Sequence, residues 1–191
     1  MYHIKSDKRS QKSAKLITEA VMNILEEKNF EDMTITDIER KSFVARSTFY
    51  RLFDNTLDVL TYKCDLIFLE LNTLHKESKQ KTLEEIMILA GDYWMKNSQI
   101  LEILTNSGHQ SILQKSFERQ FQNTVRNFLG DDKDVHIVND PYISAMITSL
   151  ITSALLTWHN QGRKENAKEL WERIKSNYKM LSFMMNDENR M

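Results

Sequence analysis

One proline and four glycines in a chain of 191 residues leave almost no means of turning sharply. Hairpins and parallel-sheet crossovers depend on Gly, Pro, Asn-Gly and Asp-Gly turns, so a chain this poor in them is unsuited to a sheet. A chain of this size buries roughly 70% of its unfolded surface, enough for a self-standing core, and its 41% hydrophobic content supplies that core. The expected fold class is all-α.

Helical spacing and capping signals divide the chain. Leu16, Ile17, Ala20, Val21, Ile24 and Leu25 recur at threes and fours, marking a helix from Ser10 to Lys28. Thr34-Ile35-Thr36-Asp37 reads as a capping box that opens a short helix, and Arg46 to Phe53 forms a second short one. Asn55 then caps a long helix carrying Leu57, Leu60, Cys64, Ile67, Phe68, Leu71 and Leu74. Thr82 with Glu85 is a further capping box, and Gly108 and Gly130 are expected helix stops. Asp140-Pro141 is the clearest start signal, since a proline at the first helical position has no amide to waste. The helix it opens is apolar on more than one face, from Ile143 through Leu150 to Trp158, and is expected to be buried on two sides. A last amphipathic helix spans Arg163 to Met184, with a frayed tail from Asn186 to Met191.

The segment from Thr34 to Phe53, a capped short helix, a brief turn and a second short helix, has the spacing of a helix-turn-helix. From Arg40 onward its charge is one-sided, although the whole chain carries only −1. Arg40, Lys41, Arg46 and Arg51 have no acidic residue among them up to Phe53, and Lys5, Lys8, Arg9, Lys12 and Lys15 face only Asp7 at the N-terminus. Ser47, Thr48 and Tyr50 interleave hydroxyls with the cations, the mixture that phosphate oxygens and base edges require. Phe49 and Phe53, four apart, point inward together and leave Arg46, Ser47, Thr48, Tyr50 and Arg51 outside.

These residues resemble a known family. FVARSTFYRLFDNTLDVL, preceded by TITDIERKS and the helix before it, is similar to the N-terminal domain of the TetR/AcrR transcriptional regulators over about residues 10–60. Its most specific part is Thr48-Phe49-Tyr50 with Phe53, and Tyr142 to Ile174 bears a weaker likeness to the dimerising end of some members. The resemblance implies a homodimer that binds a pseudo-palindromic double-stranded DNA operator through paired recognition helices, and repression relieved by a small-molecule effector. Carried over by position, Thr34 and Thr56 would bind phosphates through hydroxyls and helix-end amides, and Tyr50 through its phenol. Arg46, Ser47, Thr48 and Arg51 would face the groove. The chain departs from the family pattern at Ser42-Phe43, where Ala-Gly is usual, at Ala45 in place of a serine cap, at Leu52 in place of histidine, and at Thr56 in place of lysine.

The expected organisation is a DNA-binding domain at residues 1–55 and a helical dimerisation and effector domain at 56–191. Trp94, His109 and Phe117 are candidate effector-pocket residues, because ten methionines and clustered aromatics suit an adaptable cavity. An alternative is an adaptor whose C-terminal domain answers to a protein partner. An enzyme is the least favoured class, since no catalytic residue presents itself. A single cysteine, Cys64, cannot form an internal disulfide or a Cys-based zinc site, and the histidines lack i,i+4 pairs, so no metal and no cofactor are expected. The charged N-terminus and the lack of any run of eighteen apolar residues point to a cytoplasmic protein without a membrane anchor.

Overall fold

The computed structural model describes residues 1–78, 82–129 and 140–186, with the side chains of 122–129, 181 and 184–186 left aside. Among the described residues there are nine α-helices, one 3-10 turn and no strand. The helices are α1 (Lys8–Ile24), α2 (Ile35–Ser42), α3 (Arg46–Leu52), α4 (Thr56–Glu77), α5 (Leu83–Lys96), α6 (Gln99–Asn106), α7 (Ser111–Leu129), α8 (Pro141–Asn160) and α9 (Ala167–Asn186). They group into two compact units, residues 1–69 with 99–120 and residues 70–98 with 121–191, so the boundary expected at residue 55 falls inside the first.

In the first unit, α1 packs against α2 and α3 through the buried stripe Ala14, Ile17, Val21 and Ile24. It begins at Lys8, earlier than its apolar pattern indicates, because the Asp7 carboxylate accepts the Ser10 amide at 2.9 Å and caps it. The capping box at α2 is complete: the Thr34 hydroxyl accepts the Asp37 amide at 3.2 Å, and the Thr34 amide donates to the Asp37 carboxylate at 3.1 Å. α2 ends on Phe43, whose φ of 56° lies in the left-handed region. The buried Ser42 hydroxyl then accepts the Val44 amide at 3.1 Å and fastens the turn. Beneath α3 the rings of Phe49, Phe53 and Tyr62 form a chain with centroids 5.7 and 5.8 Å apart.

Deeper in this unit, Asp65 on α4 is buried and paired with Arg119 of α7 at 3.0 Å. The Tyr2 hydroxyl also donates to Asp65, at 2.8 Å. Breaking a buried, hydrogen-bonded pair of this kind leaves a charge unpaired, so Asp65 fixes how α4, α7 and the N-terminal residues meet. Cys64 beside it is wholly buried, and burial pushes its thiol up, which makes it an inert core group.

The Lys28 ammonium, 3.1 Å away, together with the Thr34 hydroxyl and amide, holds the Asp37 carboxyl down at about 2 from its ordinary 3.8. A lowered folded-state value contributes stability above the ordinary carboxylate range, lost as pH falls through the folded value. Asp37→Asn should therefore unfold at lower urea concentration than wild type at pH 6. The difference should shrink as the pH is taken from 3.8 towards 2.

In the second unit, α5 packs on α9. The approach is close at Gly91, where a Cβ would come within 3.0 Å of the Ala167 Cβ. Lys175 donates to Glu84 at 2.9 Å and so joins the two helices a second time. The box Thr82–Glu85 opens α5 as expected, and Asp140 caps α8 through the amides of Tyr142 and Ile143 at 2.8 and 3.1 Å. α9 begins four residues later than Arg163, because Gly162 and Arg163 both take positive φ, 87° and 58°, and Asn166 provides the cap by accepting the Glu169 amide at 3.0 Å. Gly108 stops α6 at φ 69°, whereas Gly130 and most of the C-terminal tail lie outside the described residues.

A single chain accounts for one of the two sides on which α8 is expected to be buried. Within this chain it is buried on one side only, by Thr148, Thr152, Leu155 and Trp158, while Tyr142, Met146 and Leu150 stand exposed along another. Thr148 and Thr152 meet the buried side without loose hydroxyls, each donating to a carbonyl one turn back at 2.9 and 2.8 Å. By length and composition alone α8 is also apolar enough to cross a membrane, a property shared with core helices of soluble proteins.

Candidate nucleic-acid interface

α3 is held from beneath and offered from above. Phe49 and Leu52 are each 1% exposed and pin the helix to the core, which leaves Arg46, Ser47, Tyr50 and Arg51 exposed and Thr48 half-buried. The structure thus brings together on one short helix five of the seven residues expected to meet DNA. Arg46 lies over Tyr50, one turn on, with its guanidinium carbon 5.5 Å from the ring centroid and an Nη2 donating to the phenol at 3.4 Å. This stacking sets the direction of a long side chain in advance.

The start of α3 lacks a side-chain cap on Ala45. The missing acceptor comes instead from α2: the Glu39 carboxylate accepts the Arg46 amide at 3.3 Å. Nothing in the local sequence signals this bond, because it exists only once the turn at Phe43 brings the two helices together.

The run of unbalanced cations is shorter than the sequence indicates. Asp37, just upstream of it, pairs with Arg40 at 3.0 Å. Lys41, Arg46 and Arg51 are exposed and form no ion pair among the described residues. At the N-terminus, Lys8, Arg9, Lys12 and Lys15 belong to α1 rather than to a free arm. Ahead of them the chain is docked: the His3 amide donates to the Leu52 carbonyl at 2.8 Å, its ring lies 2.9 Å from Asp54, and Tyr2 packs edge-on against Tyr62. Sequence reading does not find this docking, since its partners are some fifty or sixty residues away.

The two threonines at helix starts differ. The Thr34 hydroxyl donates to Asp37 at 2.9 Å, so its proton is already committed within the capping box. Thr56 is half-buried at the first position of α4, where Asn55 accepts the Asp58 amide at 3.1 Å.

The three pocket candidates are distributed over both units. Trp94 is buried on α5 in the second. In the first, Phe117 stacks on Phe68 with centroids 4.9 Å apart, and His109 lies 5.2 Å from Phe30 with its Nδ1 buried and without a hydrogen-bond partner among the described residues. A cleft of about 340 Å³ lies between Leu25–Glu31 and α6, and another of about 680 Å³ between α8 and α9, lined by Leu150, Trp158, Ile174 and Tyr178. Neither cleft is lined by any of the three candidates.

Comparison with known proteins places this geometry. A family described as the transcriptional regulator C-terminal region matches residues 81–179, more than half of the chain. No curated protein matches the chain in sequence. Among solved structures it is similar to Lin0861 from Listeria innocua, at 18% identity and a TM-score of 0.75 over 94% of this chain and 96% of that one. It is also similar to a TetR transcriptional regulator from Streptococcus agalactiae, at 21% identity and a TM-score of 0.57 over 86% and 92% of the two chains. A transcriptional regulator from Aquifex aeolicus aligns at 15% identity and a TM-score of 0.54, over 88% of this chain and 99% of its own. With its all-helical architecture, its helix-turn-helix and the family match over its C-terminal half, the chain belongs to the TetR/AcrR family of transcriptional regulators.

Proposed function

We propose that this protein is a cytoplasmic repressor that binds a pseudo-palindromic operator as a homodimer and is released by a small-molecule effector. The observation that carries the reading is α3 itself: two buried anchors, Phe49 and Leu52, present Arg46, Ser47, Thr48, Tyr50 and Arg51 outward on a helix short enough to enter a major groove. Thr34 and Thr56 stand at the starts of α2 and α4, where helix-end amides suit phosphate oxygens. In this reading residues 1–55 serve DNA binding and 56–191 serve dimerisation and effector response. The dimer is supported by the exposed side of α8, where Tyr142, Met146 and Leu150 recur every four residues, and by Tyr178 and Phe183 on α9, all largely uncovered in the single chain. The effector reading is supported within the first unit by the Nδ1 of His109, buried beside the Phe30 ring with no hydrogen-bond partner among the described residues.

Selection from random duplexes with the full-length protein tests the reading. The recovered site should be an inverted repeat with half-sites about 10 base pairs apart centre to centre. Two copies contacting six or more phosphates should lose roughly 1,000-fold in affinity between 50 and 200 mM salt. A flat salt response, or no enriched site, would overturn it.

A further inference from the structure

Phe43 is 93% exposed and holds a φ of 56°, a conformation in which glycine is at ease and a phenylalanine is not. An apolar ring standing in water and a left-handed backbone thus fall on the same residue of the turn between α2 and α3. The turn is not loose. The Phe43 amide donates to the Glu39 carbonyl at 3.0 Å, Ser42 holds the Val44 amide, and Val44 is buried. A strained residue that its surroundings fix so firmly, without packing its side chain, points to use at the surface.

Phe43 lies three residues before Arg46, at the end of α3 that approaches base edges in a helix-turn-helix. Exposed Lys41 and Arg46 flank it. A phenyl ring has nothing to offer phosphates or polar base edges. The apolar group that the major groove presents is the thymine C5-methyl, which aromatic side chains contact. We propose that Phe43 is a specificity-determining residue whose ring packs on a thymine methyl beside the bases met by α3. This inference rests on the reading of α3 as a DNA interface.

The test uses full-length wild type, Phe43→Ala and Phe43→Gly on the duplex that wild type selects, and on copies in which each thymine in turn is replaced by deoxyuridine. In wild type, one such replacement per half-site should lower affinity about fourfold, the worth of one buried methyl. The same replacement should leave Phe43→Ala unaffected. Phe43→Gly should melt at higher temperature than Phe43→Ala, yet bind DNA just as weakly, with the salt slope of wild type because no phosphate contact is lost. A wild type indifferent to every methyl, or a Phe43→Ala protein that binds as tightly as wild type, would overturn the inference while leaving the DNA interface standing. A wild type that selects no DNA removes both readings together.

Discussion

Leu150→Arg should convert the protein to a monomer and lower its affinity for a two-half-site operator by roughly 100-fold or more, since a second half-site is then no longer held at millimolar effective concentration. Leu150 is 49% exposed on α8, in line with Tyr142 and Met146, and it lines the cleft towards α9. An arginine there meets water in the single chain, so the protomer keeps its fold. In a dimer built on this side of α8, two copies of the cation would be buried near the symmetry axis without partners, and that is a desolvation the interface does not withstand. Sedimentation should report a single-chain mass at micromolar concentration, with thermal unfolding of the helical signal retained. A variant that remains dimeric with full operator affinity would place the interface elsewhere.

Arg46→Ala should weaken operator binding by roughly 10- to 100-fold, the loss expected for a guanidinium that reads a base edge. Two features make the effect large. The guanidinium already lies over the Tyr50 ring, so little side-chain freedom remains to be lost on binding. The proposed dimer would also present the residue twice, so each copy's loss would count. Because Arg46 is exposed and its amide bond to Glu39 survives the substitution, unfolding stability should change little. Competition titrations against non-operator duplex separate the two roles. A base-reading arginine loses specificity as well as affinity, whereas a phosphate-binding one loses affinity evenly across sequences. Equal affinity of the variant and wild type would remove Arg46 from the interface.

What the sequence disclosed was local. Thr34, Thr82 and Asp140 declared their helices because a cap and its target amides lie within four residues of one another. The inward pairing of Phe49 with Phe53 followed from helical period alone, and with it the outward set on α3. What stayed hidden depended on chain folding back on itself. Glu39 caps α3 from another helix, Asp37 neutralises Arg40 from just beyond the cation run, and the N-terminus docks on Leu52 and Asp54. The double-sided character of α8 was legible in its composition, but one chain covers only one of those sides. Trp94, His109 and Phe117 are related by chemistry alone, and no periodicity links residues on three separate segments.

The way α3 is held has a consequence for how such a regulator changes targets over generations. Its foundation, Phe49, Leu52 and the carboxylate of Glu39, shares no position with the outward set Arg46, Ser47, Thr48, Tyr50 and Arg51. Mutation is therefore free to rewrite the outward letters one at a time while the helix keeps its place and pitch. If α3 reads DNA as proposed, a duplicated copy can drift to a new operator without first having to survive a loss of fold.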